Sequence, residues 1–188
     1  MKSFTTICSL LWTLIYVASA QQCSNTHSQR LLISVSINGR SVDKIGRSTY
    51  LSAVSSAVDT ILPSSGTQSA LYTFGGVTNP SSTITQITSL GSNTYATLDS
   101  AITGLESSAA WDSNLGNAVS DAIDNAETLI GSATGAQKYH IIFAAGNPLA
   151  NGFGDTTSPQ NPDDPCPTAI TSKAAGIQTF VVLVGEDG

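Results

Sequence analysis

Charge is scarce in this chain, and positive charge scarcest. Charged residues make up 11% of the 188, with seven Lys and Arg against thirteen Asp and Glu. Setting aside Lys2, which belongs to a leader described below, leaves six basic residues and a net charge of −7. Such a surface repels phosphate backbones, which argues against nucleic acid and anionic membrane as partners. Phosphate-binding loops are missing as well. No Gly-Lys-Ser/Thr occurs, Gly75-Gly76 and Gly152-x-Gly154 do not supply one, and no dinucleotide glycine pattern follows the first predicted strand. Only two histidines are present, His27 and His140, and neither is followed by Gly. No Asn-x-Ser/Thr acceptor for glycosylation occurs. Cysteine is sparse: Cys8 falls in the leader, which leaves Cys23 and Cys166.

Residues 1–20 read as a secretory signal peptide. Lys2 is followed by an apolar run over 7–17 and then by Ala18-Ser19-Ala20, small residues placed for cleavage before Gln21. The run is short of the ~20 residues that a membrane span needs, so no membrane insertion is expected after cleavage. Residues 21–29 form a polar lead-in, and 30–188 form one domain, long enough for a sizeable core. In an oxidising compartment Cys23 and Cys166 can pair, closing a loop of nearly the whole domain, or each can seek a partner outside the chain.

The hydrophobic pattern then gives the elements in order. Residues 30–37 read as a buried strand ended by Asn38-Gly39. Leu51, Val54, Val58, Ile61 and Leu62 recur at helical spacing, with Ser48 or Thr49 as the cap and Pro63 as the stop. Residues 69–74 form a second strand with Tyr72 and Phe74 in the core, and 83–90 a weaker, partly polar strand suited to a sheet edge. Asn93 or Thr94 caps a helix carrying Tyr95, Leu98, Ile102 and Leu105. From Asn114 to Ile130 runs the best amphipathic helix of the chain. Residues 138–145 are a continuous apolar run closed by Gly146-Asn147-Pro148, the pattern of a central parallel strand. After the polar segment 146–165 comes a short helix with Pro167 in its first turn, Ile170 and Ala174 along it, and Gly176 at its end. The last strand, 178–184, reads as a core strand that a helix would normally cover, so either the fold manages without that C-terminal helix or the chain is a truncated product of something longer.

Strands alternating with helices imply a mostly parallel sheet with helices on both faces. Ligands on such sheets bind at the carboxyl ends of the strands.

The stretches LLISVSINGRS, ALYTFGG, WDSNLGNAVSDAID, KYHIIFAAGNP and KAAGIQTFVVLVG, in this order, resemble a von Willebrand factor A-type (vWA) domain over about residues 30–185. The resemblance implies an α/β three-layer sandwich: a mostly parallel sheet with one antiparallel edge strand between two helical layers. It also implies a metal-ion-dependent adhesion site, in which an Asp-x-Ser-x-Ser motif, a loop Thr and a further Asp hold Mg²⁺ for a partner's carboxylate. That site is degraded here. The motif falls on Ser34–Asn38 or on Ser36–Arg40, with Ser in place of the leading Asp. The later Asp position is Ala144-Ala145-Gly146, and the loop Thr becomes Ser113 beside Asp112. Mg²⁺ wants six oxygens, usually including a carboxylate or two. Ser36, Asn38, Asp112 and Ser113 make a poor set, so no Mg²⁺ or Ca²⁺ cofactor is expected. The segment DDPCPTAITSKAAGIQTFVV further resembles the vWA-like modules found beside C-type lectin domains in nematode secreted proteins, although no lectin domain is present in this sequence.

A second similarity leads nowhere. FAAGN is similar to the strand and Asn that steady the oxyanion in subtilisin-like proteases, but no His-Gly-Thr or Gly-Thr-Ser accompanies it, so no triad can be assembled. His140 is expected to be a sheet residue with a satisfied nitrogen. The functional expectation is a secreted, non-enzymatic module that binds an extracellular protein through loops bearing Asn38, Trp111, Asp112 and Asn147. Trp111 fits either an exposed partner anchor or interior packing. A metal-dependent adhesion domain and a self-associating matrix component are the alternatives.

Overall fold

The computed structural model describes residues 28–37, 42, 45–62, 66–75, 84–108, 111, 119–144 and 165–184. Among them the elements are β1 (Ser28–Ser36), α1 (Arg47–Ile61), β2 (Thr67–Phe74), β3 (Thr85–Gly91), α2 (Tyr95–Gly104), α3 (Val119–Ile130), β4 (Ala136–Ala144), α4 (Cys166–Ala174) and β5 (Ile177–Leu183), with a 3₁₀ turn at Leu105–Ser107. The strands form one sheet in the order β3-β2-β1-β4-β5. β1 pairs in parallel with both β2 and β4, β4 pairs in parallel with β5, and β3 lies antiparallel to β2. This is the expected architecture, including the antiparallel edge.

The alternation along each strand decides which layer it feeds. Leu31, Ile33 and Val35 of β1, Leu71 of β2, and Ile141 and Phe143 of β4 share one face. They pack beneath α1 and α2 with Tyr50, Leu51, Val54, Val58, Leu98 and Ile102. Leu32, Ala70, Tyr72, Phe74, Ile142 and Ala144 turn to the other face, against Ala122, Ile123, Ala126 and Ile130 of α3. α4 joins that layer, with Ala169 at its middle and Ala175 just past its end. β1 therefore contributes to both cores, and Leu32, Ile33 and Val35 are wholly enclosed.

Helix ends follow local chemistry. The Thr94 hydroxyl accepts from the Thr97 N–H and starts α2, as expected. α1 differs. It begins at Arg47, ahead of Ser48 and Thr49, after Gly46, whose φ of 85° is a glycine conformation. Its entry is set by backbone: the Ile45 and Gly46 N–H groups both donate to the Val42 carbonyl. Pro167 lies in the first turn of α4, and Gly176, at φ 77°, follows its end.

One expectation about burial is corrected, that of the last strand. Ile170 points to solvent, and Ser172 is the buried residue of α4. Among the described residues β5 stands at the end of the sheet, where a core strand was expected: Phe180, Val181 and Leu183 are each more than half exposed. A run of β-branched residues signals a strand, but its neighbours decide whether it is enclosed.

Candidate functional site

The carboxyl ends of β1, β2 and β4 converge on one rim. There the Ile37 N–H donates to the Phe74 carbonyl at 3.0 Å, and the Val184 N–H to the Ala144 carbonyl at 2.9 Å. The β1–β4 ladder runs out at the Val35–Phe143 pair. Just beyond it sits the phenol of Tyr50, fully buried, reaching down from the first turn of α1. Its O–H donates to the Phe143 carbonyl at 3.0 Å, and the Ser36 backbone N–H bonds the same oxygen. One side-chain oxygen thus takes the place of the next rung, where β1 and β4 part. Burial pushes this phenol far above its ordinary pKa of 10, the Ser36 bond opposing only in part, so it stays a neutral donor.

Trp111 completes the arrangement. Its ring stands edge-on to Tyr50, with centroids 6.2 Å apart and planes at 83°. Its indole N–H donates to the Leu105 carbonyl at 2.6 Å, and the Arg47 guanidinium lies 5.1 Å from its centroid. Only 8% of Trp111 is exposed. Of its two readings, interior packing describes it: the side chain braces α1 from within.

Ser36 lies at this rim, enclosed, at the last position of β1. Asn38, Asp112, Ser113 and Asn147 fall outside the described residues, as does Cys23. Cys166 opens α4 and is exposed. Among the described residues, no group of three His, Cys, Asp or Glu side chains lies together. The described part of the expected metal position offers one hydroxyl, beside a crevice already spanned by a phenol. One hydroxyl by itself does not meet the six oxygens that Mg²⁺ wants, and the other three candidate ligands lie outside the described residues.

A second polar pair lies in the opposite core. His140 Nε2 and the Ser34 hydroxyl are 2.9 Å apart across β1 and β4, the spacing of a nucleophile and its base. Both are enclosed, and burial pushes the His140 imidazole down to about pKa 3. A base that weak, with no path to solvent, has no route to a substrate. The pair satisfies one ring nitrogen, as expected, while Nδ1 meets no partner among the described residues.

Tyr50 is the residue that sequence reasoning passed over. Its signal was present: it stands four residues before Val54 and eight before Val58 on the apolar stripe of α1, and a buried tyrosine must place its hydroxyl somewhere.

No protein-family model matches this chain, and no curated protein matches its sequence. Its fold does match solved structures. Manganese-loaded TRAP of Plasmodium vivax superposes with a TM-score of 0.61 at 14% identity, over 86% of this chain and 59% of that one. Proximal thread matrix protein 1 of the mussel byssus gives 0.59 at 18%, over 86% and 37%. BatB of Bacteroides thetaiotaomicron gives 0.54 at 16%, over 82% and 65%. The chain therefore has a vWA-like α/β fold. It spans less than two thirds of the length of each of these structures.

Proposed function

We propose that this protein is a secreted recognition module of vWA type that binds an extracellular protein without a metal ion. The observation that carries the reading is the Tyr50 phenol. In a metal-dependent site the cation ties the strand ends together and presents an open coordination position. Here the Phe143 carbonyl and the Ser36 N–H are tied by a tyrosine, and Ser stands where the acidic ligand is needed. The expected contact surface is the rim itself, through the loops bearing Asn38, Asp112 and Asn147. Support for an adhesive role comes from similarity of fold to a byssal thread matrix protein and to the pilus adhesin SpaC of Lactobacillus rhamnosus GG, the latter with a TM-score of 0.56 at 15% identity. A Cys23–Cys166 bridge belongs to the same proposal, and intact mass with and without thiol labelling reads it directly.

Thermal melts in Mg²⁺, Mn²⁺, Ca²⁺ or EDTA test the metal question. An ion bound only by the folded form at a hundred times its Kd stabilises by about 2.7 kcal/mol, which raises the Tm of a domain this size by several degrees. The expected outcome is a Tm that none of the four conditions moves. A rise with any ion that EDTA abolishes would refute metal independence.

A further inference from the structure

Five buried side-chain polar atoms have no hydrogen-bond partner among the described residues, and they are not scattered. Ser69 Oγ lies on the α1 side of the sheet, the side that Leu71 faces. The other four, His140 Nδ1, Thr179 Oγ1, Ser172 Oγ and Asn125 Nδ2, belong to the side of α3 and α4. Packing brings three of them together. His140 and Thr179 are register partners on β4 and β5, so their side chains stand abreast on one face. α4 crosses that face in the direction opposite to β4. Ala175 lies over the start of the strand, where the Lys138 ammonium donates to its carbonyl at 2.8 Å. Ala169 packs with the cluster of Ile142 and Ala144, toward the strand's other end. Ser172 is midway between Ala169 and Ala175 on one stripe of α4, as His140 is midway between Lys138 and Ile142 on β4. The Ser172 side chain therefore faces the His140–Thr179 pair. His140 and Ser172 have no exposed surface. The neighbouring Thr171 turns its hydroxyl back on its own helix and donates to the Pro167 carbonyl at 3.1 Å, whereas Ser172 makes no such bond.

We propose that this pocket of the α4 layer binds a single internal water molecule, which bridges His140 Nδ1, the Thr179 hydroxyl and the Ser172 hydroxyl. None of the three groups bonds another, and a buried polar group left bare is costly. A buried water makes about three hydrogen bonds, the number of groups on offer. Charge selects water over an ion: the set contains no carboxylate and no ammonium or guanidinium, and burial keeps the imidazole neutral. Water also suits either tautomer of the ring. If the Ser34 hydroxyl donates to Nε2, then Nδ1–H donates to the water; if Nε2–H donates to Ser34, the water donates to Nδ1. The two hydroxyls donate or accept to match. This inference is independent of the rim and of the metal question.

Oxygen-17 magnetic relaxation dispersion on the full chain tests it, because that signal counts internal waters and ignores hydroxyl protons that exchange with solvent. The double variant Ser172→Ala/Thr179→Val removes two of the three partners and is expected to lose the dispersion amplitude of one water. Thr171→Val, which removes a hydroxyl bonded to its own helix, should leave the amplitude unchanged. Circular dichroism confirms that each variant keeps its fold. A high-resolution crystal structure of the wild type decides the matter if the double variant does not fold, and is expected to show one oxygen within hydrogen-bond distance of all three groups. Side chains bonded directly to one another there, with no water between them, would overturn the proposal. So would an amplitude that the folded double variant leaves intact, or that Thr171→Val lowers equally.

Discussion

Acid should destabilise this protein through His140, beginning in a pH range in which ordinary carboxylates do not yet titrate. The imidazole is fully buried on one face of the sheet beside the Ser34 hydroxyl, and desolvation holds its pKa at about 3, against 6.5 when exposed in the unfolded chain. Between those values the unfolded state carries one proton that the folded state refuses. Acidification therefore favours unfolding. The stabilising contribution of the neutral ring is complete above about pH 6.5, declines as the pH falls toward 3, and changes no further below that. One proton corresponds to about 1.4 kcal/mol per pH unit, so the full span from 6.5 to about 3 is on the order of 5 kcal/mol, a large part of the 5–15 kcal/mol typical of a domain. Between pH 6.5 and 5 the carboxylates, with ordinary values near 4, contribute little. Urea unfolding at closely spaced pH values over this window gives the slope. His140→Gln keeps a polar group toward the Ser34 hydroxyl but cannot ionise, and should flatten the slope. Equal stability of the wild type at pH 7 and pH 5, or an unchanged slope in His140→Gln, would refute the argument.

Other expectations concern single contacts. Tyr50→Phe leaves the Phe143 carbonyl and the Ser36 N–H buried without their shared partner, and should cost about 1–3 kcal/mol in urea melts. Thr94→Ala removes the hydroxyl that accepts from the Thr97 N–H, and should lower stability by about 1 kcal/mol in the same assay, with α2 fraying first in hydrogen exchange.

The order of strands and helices was legible because periodicity is written locally. The apolar runs of β1, β2 and β4 and the stripe of α3 each name their element within a dozen residues. What the sequence withheld depended on neighbours distant in the chain. Nothing in 177–183 distinguishes an edge strand from an enclosed one, since the order of the described strands in the sheet is a property of the packing. The start of α1 was missed because a glycine turn and a shared carbonyl at Val42 set it, in place of a hydroxyl cap. The degraded metal motif could be read from residue types alone. The tyrosine bridging its strand ends could not, because Tyr50 and Phe143 stand 93 residues apart.

The position of β1 has a consequence for how the chain is made. The first strand synthesised is the middle of the finished sheet: 38 residues separate Gln29 from its contact at Thr67, and 106 separate Ser34 from His140. Nascent polypeptide that has emerged only as far as α3 holds an apolar β1 with one flank bare. Loop closure over so great a distance is slow, and the flank cannot be covered before the ribosome has released residues 136–144. Until then that flank of β1 has no native neighbour, and the sheet closes late.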